Sequence, residues 1–183
     1  GLDRAHRMHK AGFLPSLTLD LDAARARAAQ ALLHATKDGS LRNGPKDDTY
    51  DASLAQAAIL GFPNRDVCET TMQSIARALA VQAGGKETGF YFRYLRTDDF
   101  GRPQSSFVIC SFWVVQGLAR LGRMAEAQQI MAQVLTGANH LGLFSEHFVP
   151  ETRTQLGNFP QAYSHVGLIN AAFAVSPSWT TVL

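Results

Sequence analysis

The stretch that decides the fold of this chain spans residues 139–170 and has the sequence NHLGLFSEHFVPETRTQLGNFPQAYSHVGLIN. An apolar helical run ends at Asn139, and a loop punctuated by glycine and proline then leads through Glu146 to Pro160. A second apolar helix starts behind that proline, whose missing N–H group costs nothing in a first helical turn. Because aromatic residues flank Glu146 on both sides, its carboxylate is expected in an apolar setting, where it can act as a general base facing a cleft. A solvated loop glutamate is the alternative interpretation of the same pattern.

Two kinds of helical pattern alternate along the chain. The patterns that start near residues 51, 105 and 160 are apolar on most faces, whereas those near 20, 65 and 123 are amphipathic. The apolar starts are separated by 54 and 55 residues, a longer period than that of tetratricopeptide or HEAT repeats. This period indicates stacked helical hairpins in which outer helices enclose inner ones. The sequence therefore predicts an all-α fold, an incomplete α/α toroid.

Seven helices, one short strand and a tail are predicted. The helices cover residues 2–11, 19–37, 51–60, 65–82, 105–121, 124–139 and 160–174, the strand covers 89–94 and the tail covers 176–183. The helix at 51–60 is nearly apolar all round from Leu54 to Leu60, so we expect it to be buried on all sides. The three longest polar loops each precede an inner helix, and we expect them to gather at one mouth of the toroid. These loops are residues 38–50, 83–104 and 139–159.

Composition excludes few classes of protein. The chain has 183 residues, of which 46% are hydrophobic and 17% are charged, so it can bury a core. Its formal net charge is +2 and its basic residues form no block, which argues against nucleic-acid and membrane partners. No apolar run reaches the length of a membrane span. Cys68 and Cys110 lie among apolar neighbours, so we expect buried free thiols, with a disulfide as the alternative.

The stretch from 139 to 170 resembles the catalytic signature of glycoside hydrolase family 15, which comprises glucoamylases, glucodextranases and related trehalases. The residues that carry the resemblance are Asn139, Leu141-Gly142-Leu143, Ser145-Glu146, Gly157-Asn158-Phe159-Pro160-Gln161-Ala162 and Ser164-His165. The resemblance implies a partial (α/α)6 barrel, about half of the whole, in which residues 1–175 form the C-terminal portion of the catalytic domain. It also implies that Glu146 is the general base.

The second polar loop carries Arg93-Tyr94 and Asp98, which resemble the arginine–tyrosine motif of the family. The resemblance implies that these residues bind substrate and that Arg93 grips sugar hydroxyls, a task for which its planar fork of donors is suited. The alternative is a surface arginine paired with Asp98 or Asp99. Asp51 resembles the start of an inner helix in the family, and a role as N-cap would by itself explain it.

The segment from Phe107 to Trp113 resembles the inner-helix motif of the family. Phe107 is therefore expected at the substrate site, whereas Trp113 is expected in the core. Family members carry Glu-Gly just ahead of this motif, and here Gln104-Ser105 stands in its place, which weakens the expectation of substrate affinity.

Behind the loop with Glu146, Tyr163 is expected in the wall of the substrate site, and His165 is expected to support the loop from beneath. The three histidines of the stretch, at positions 140, 147 and 165, match no usual ligand spacing, so no metal is expected.

The activity that the resemblance implies is inverting hydrolysis of α-glucosidic bonds, with Glu146 activating water and a carboxylic acid protonating the leaving oxygen. In the family this acid lies shortly before a helix like that of Leu2-Asp3-Arg4-Ala5, so we expect it in a missing N-terminal half of the barrel. The isolated chain is then expected to be inactive.

The expected substrate is an α-linked glucose oligosaccharide or disaccharide, with starch oligosaccharides, dextran and trehalose undecided. No cofactor is expected. The expected location is cytoplasmic. A non-catalytic toroid that binds sugar or protein and a plain helical scaffold remain the alternatives.

Overall fold

The computed structural model describes residues 1–14, 18–178 and 181 of the chain. This part is mostly helical, with a short 3₁₀ helix at Ala52–Ala55 and seven α-helices. The α-helices are α1 (Leu2–Lys10), α2 (Leu21–His34), α3 (Gln56–Ile59), α4 (Arg65–Leu79), α5 (Val108–Arg120), α6 (Met124–Leu135) and α7 (Ala162–Val175). The seven predicted helices are confirmed, with ends that differ by a few residues. Half of the predicted tail, residues 179, 180, 182 and 183 of 176–183, lies outside the described residues.

Short polar side chains determine where two of the helices begin. The Asn64 side-chain oxygen accepts the backbone N–H of Val67 at 3.1 Å in the first turn of α4. The Asp51 carboxylate accepts the N–H of Ser53 at 2.8 Å, which confirms its predicted role as N-cap of the 3₁₀ helix. Because such bonds satisfy N–H groups that have no partner within the helix, they favour a start at these positions.

The helices form two layers. The 3₁₀ helix with α3, then α5, and then α7 pack side by side in the inner layer, while α4 and α6 cover them from outside. Helix α2 packs against α1. The core is centred on α5, whose residues from Val108 to Val115 are all buried. This arrangement confirms the pairing of apolar inner helices with amphipathic outer helices for α4 and α6.

The prediction of an all-α fold is wrong in one respect, because the described residues also form seven short strands in three small antiparallel sheets. In the first two sheets β1 (Thr36–Lys37) pairs with β2 (Ser40–Leu41), and β3 (Ala80–Ala83) pairs with β4 (Lys86–Tyr91). The third has the order β5 (Ser106–Phe107), β6 (His147–Val149), β7 (Thr154–Leu156). Strand β4 bears out the strand predicted at 89–94, with bounds shifted toward the N-terminus. The third sheet matters most for the site, since it joins the start of α5 to the loop that contains Glu146.

Two inner helices are less buried than their apolar sequences predict. Leu60, the last residue of the helix predicted at 51–60, is 77% exposed, so the expectation of burial on all sides is wrong at that end. Helix α7 buries three of its 14 residues and leaves Val166 and Ile169 52% and 54% exposed. It therefore presents an apolar face that no described element covers.

Both cysteines behave as predicted. Cys68 and Cys110 are buried free thiols. Burial raises the pKa of each thiol above its ordinary value, which keeps both groups protonated and unreactive.

None of the helices described above combines the length and apolarity that a bilayer crossing requires.

Candidate functional site

The backbone of Glu146 is tied to two inner helices. Its carbonyl oxygen accepts the N–H of Val108, the first residue of α5, at 3.0 Å. Its own N–H donates to the carbonyl oxygen of Asn158, in the segment that leads into α7, also at 3.0 Å. Since both helices belong to the packed inner layer, the position of Glu146 is fixed by rigid elements rather than by a free loop.

The carboxylate of Glu146 is held by one of its two oxygens. Oε2 accepts the backbone N–H of Asn158 at 3.2 Å and the side-chain Nδ2–H of the same residue at 3.1 Å. Oε1 has no hydrogen-bond donor among the described residues. The side chain is partly buried, so a water molecule can reach the unpaired oxygen. A carboxylate held in this way is able to accept a proton from that water.

Phe107 lies in strand β5, which pairs with the strand that follows Glu146. It pairs with His147, the neighbour of Glu146, and the two rings stack with centroids 5.0 Å apart and an interplanar angle of 21°. His147 Nδ1–H donates to the carbonyl oxygen of Ser106 at 3.1 Å, which fixes the orientation of its ring. Phe107 and His147 therefore form one half-buried aromatic wall next to Glu146.

Several residues of the signature hold the loop rather than face a ligand. Asn139 accepts the backbone N–H groups of Leu141 and Leu143, each at 2.9 Å. The buried Ser164 hydroxyl donates to the carbonyl oxygen of Ser145 at 2.8 Å. Part of the sequence signature therefore consists of residues that stabilise the Glu146 loop through hydrogen bonds. Local sequence patterns did not predict this role.

His165 also fastens the loop, from the first turn of α7. Its Nδ1–H donates to the carbonyl oxygen of Gln161 at 2.8 Å, and its Nε2 accepts the N–H of Phe144 at 3.4 Å. This contact agrees with its expected place beneath the loop. Tyr163, by contrast, is 48% exposed and meets Trp113 edge-to-face, with centroids 6.1 Å apart. Trp113 is only 9% exposed, as predicted for a core residue.

Arg93 is paired with Asp51, not with Asp98 or Asp99 as the alternative interpretation held. Its Nε–H lies 3.3 and 3.4 Å from the two oxygens of Asp51, whose side chain is 7% exposed. Within the described residues neither Nη1 nor Nη2 donates a hydrogen bond, and the side chain is 46% exposed. The terminal nitrogens are therefore available to hydroxyl groups of a ligand.

Tyr94 and Asp98 are engaged with each other. The Tyr94 hydroxyl donates to Asp98 Oδ2 at 2.6 Å, and the backbone N–H of Phe100 donates to Oδ1 at 2.8 Å. The hydrogen bond from Tyr94 is the main reason that the pKa of Asp98 lies below its usual value, and the same bond raises the pKa of Tyr94. The guanidinium of Arg96 covers the Tyr94 ring at 4.5 Å from its centroid. This pair shapes the second polar loop.

Arg93 and Glu146 occupy equivalent positions in successive hairpins. The carbonyl oxygen of Arg93 accepts the N–H of Ala52, the first residue of one inner helix, at 2.7 Å. The carbonyl oxygen of Glu146 accepts the N–H of Val108, the first residue of the next inner helix, at 3.0 Å. Both residues therefore lie at the N-terminal end of the inner layer, where the polar loops were expected to gather. No sequence signal except the period of the inner helices points to this equivalence.

Comparison with known proteins gives consistent matches. Residues 121–173 match the family described as "Glycosyl hydrolases family 15". The chain is 37% identical over 142 residues to a trehalase of Mycolicibacterium smegmatis. The aligned region covers 76% of this chain and 21% of the trehalase. It is 38% identical over 125 residues to a trehalase of Thermoplasma acidophilum. This alignment covers 67% of this chain and 20% of that protein.

Solved structures agree on the fold. A wild-type glycosidase superposes with a TM-score of 0.67 at 20% identity, over 85% of this chain and 44% of the glycosidase. A glycosidase variant with a glutamate-to-alanine substitution, in complex with glucose, gives the same values. The chain thus spans about a fifth of the length of the trehalases and less than half of the glycosidase that it matches.

Proposed function

This chain belongs to glycoside hydrolase family 15 and resembles its trehalases, and on that premise we propose that it forms the C-terminal part of an inverting glycosidase domain. The observation that carries the proposal is the state of Glu146. One carboxylate oxygen is held by Asn158, the other has no donor among the described residues, and the whole group lies at the loop end of the inner helices. A general base needs this combination of fixed orientation and an open oxygen.

In the proposed mechanism Glu146 removes a proton from a water molecule, and the oxygen of that water attacks the anomeric carbon as the glycosidic bond breaks. A carboxylic acid outside this chain protonates the leaving oxygen. Inversion requires about 6.5–9.5 Å between the two carboxyl groups, which leaves room for the water. The chemistry requires no metal or organic cofactor.

The remaining residues of the site bind the sugar in this proposal. Arg93 donates from Nη1 and Nη2 to sugar hydroxyls while Asp51 holds its Nε. Phe107 offers an apolar wall, and Tyr163 presents a half-exposed ring at the start of α7. Tyr94 and Asp98 act as one hydrogen-bonded unit at the rim.

The substrate that we propose is an α-linked glucose disaccharide, trehalose in the first instance. Two kinds of similarity support this choice: the curated relatives are trehalases, and one structurally similar glycosidase was solved with glucose. Starch oligosaccharides and dextran are the other substrates of the proposed class.

The proposed whole is an (α/α)6 barrel, which another part of the same domain completes. Two features support this. Helix α7 leaves its apolar face uncovered, and the N–H of Ala162, its first residue, has no acceptor among the described residues. In the other two inner helices the equivalent N–H is accepted by a loop of the next hairpin. A further hairpin of the same kind would supply both the missing cover and the missing acceptor.

A second candidate function is a non-catalytic toroid that binds sugar, and Gln104 favours it. This exposed amide stands where members of the family carry a carboxylate, just before the strand that flanks Glu146. An uncharged side chain there would weaken a site that depends on carboxylates for binding or catalysis.

One experiment distinguishes the two functions. Trehalose is added to the complete domain, and the anomeric protons of the released glucose are followed by NMR before mutarotation equilibrates them. The proposed inverting hydrolase releases β-glucose and α-glucose in equal amounts, because only the attacked ring changes configuration. Release of α-glucose alone would contradict inversion, and sugar binding in calorimetry without any hydrolysis would support the binding module.

A further inference from the structure

The contacts between Glu146 and Asn158 are concentrated on one oxygen. Both donors of Asn158, its backbone N–H and its side-chain Nδ2–H, meet Oε2 of Glu146, at 3.2 and 3.1 Å. The carbonyl oxygen of Asn158 in turn accepts the N–H of Glu146 at 3.0 Å. Three hydrogen bonds therefore join the two residues, and all of them leave Oε1 without a donor.

Gly157 makes this close approach possible. Its φ of +76° lies in the left-handed region, which residues other than glycine adopt only at a cost in conformational energy. A Cβ atom at this position would lie 2.8 Å from Glu146 Oε2 and 3.0 Å from Glu146 Cβ. Any other residue at 157 would therefore push the carboxylate away from the donors of Asn158.

We propose that Asn158 is a positioning residue that selects Oε1 of Glu146 as the oxygen that takes the proton from water, with Gly157 allowing the approach. This inference rests on the proposed function, since it matters only if Glu146 is the base. Two hydrogen bonds to Oε2 hold the plane of the carboxylate and fix which oxygen stays open. When the proton arrives on Oε1, Oε2 keeps both donors as a carbonyl oxygen, so the protonated state needs no rearrangement.

The test is the pH profile of kcat/KM for trehalose in the complete domain carrying Asn158→Asp. The substitution keeps the shape and the backbone bonds but places a carboxylate where Nδ2 lies 3.1 Å from Oε2. Two carboxylates so close share a proton, so the acid limb of the profile should move up by about one pH unit or more. Below the optimum, kcat/KM should fall roughly 10- to 100-fold, with KM little changed.

Two further variants support this test. Asn64→Asp makes the same chemical change at the exposed N-cap of α4, where aspartate caps as well as asparagine, and should leave the profile unchanged. Asn158→Ala removes only the Nδ2 donor and should move the acid limb in the same direction by less.

An acid limb that stays in place in both Asn158 variants would overturn the inference, whatever their total activity, because a merely structural role does not move it. Failure of the proposed function has a different signature: turnover by Glu146→Gln would then stay near that of the parent. An inactive Glu146→Gln together with unmoved profiles would refute only the role of Asn158.

Discussion

At the scale of single residues, the Arg93 guanidinium and the Glu146 carboxylate of the proposed site are held in the same way. Asp51 holds Arg93 by Nε and leaves the two terminal nitrogens open, and Asn158 holds Glu146 by Oε2 and leaves Oε1 open. Each group is thus oriented by some of its polar atoms and offers the others to a ligand. Such orientation before binding reduces the entropy that a substrate complex must lose.

The Tyr94–Asp98 contact leads to a prediction about pH. The hydrogen bond from Tyr94 lowers the pKa of Asp98, so it favours the folded state above the ordinary aspartate pKa and is lost as the pH falls through the lowered value. In Tyr94→Phe the pKa of Asp98 should therefore rise toward its ordinary value, although the N–H of Phe100 still donates to it. Titration of the Asp98 carboxyl carbon by NMR measures the change. Identical titration curves in parent and variant would show that the bond is absent in solution.

At the scale of elements, helices α5 and α7 pack too closely for a side chain at Gly167. A Cβ there would lie 2.4 Å from Ile109 Cδ1 and 3.1 Å from Phe112 Cβ, and both neighbours are fully buried. Gly167→Ala should therefore lower the free energy of unfolding of the complete domain by about 1–3 kcal/mol in urea denaturation, despite the better helix propensity of alanine.

Gly117 provides the matched control for this prediction. A Cβ at Gly117 would lie 2.9 Å from Cε and Sδ of Met72, a flexible chain end that can move aside. Gly117→Ala should therefore be tolerated, with a change of less than about 1 kcal/mol. Equal stability of the two variants would contradict the close packing of α5 on α7.

The sequence predicted the helices well and the strands poorly, for physical reasons. A period near 3.6 over ten or more residues marks a helix such as α4 or α6 clearly. Strands of two to four residues, such as β5 and β6, have too few positions to show an alternation, so they could not be predicted. The missed strands β5 and β6 are those that pair Phe107 with His147, the residue after Glu146.

The site itself could be predicted only in part. The identities of Glu146 and Arg93 followed from a family resemblance, and their roles stay predictions. Their partners could not be found in the same way, because Asp51 lies 42 positions from Arg93 and Asn158 lies 12 from Glu146. Contacts at such separations depend on how the hairpins stack, which no local pattern determines.

At the scale of the whole molecule, the apolar face of α7 is the surface that the rest of the proposed barrel would cover. Val166 and Ile169 are each about half exposed, on a helix whose sequence has no charged residue. The structural relative extends well beyond the matched region, since the match covers 44% of it. A face of this kind is stable when another part of the same domain covers it.

The proposed function depends above all on Glu146 as the base, and one measurement tests this role most directly. The turnover of trehalose is compared between the complete parent domain, Glu146→Gln and Glu151→Gln, the last being a matched change at an exposed carboxylate in the same loop. If Glu146 is the base, turnover should fall roughly 10²- to 10⁴-fold in Glu146→Gln and should not change in Glu151→Gln. Turnover by Glu146→Gln within about threefold of the parent, far less than the loss of a positioned base, would contradict it.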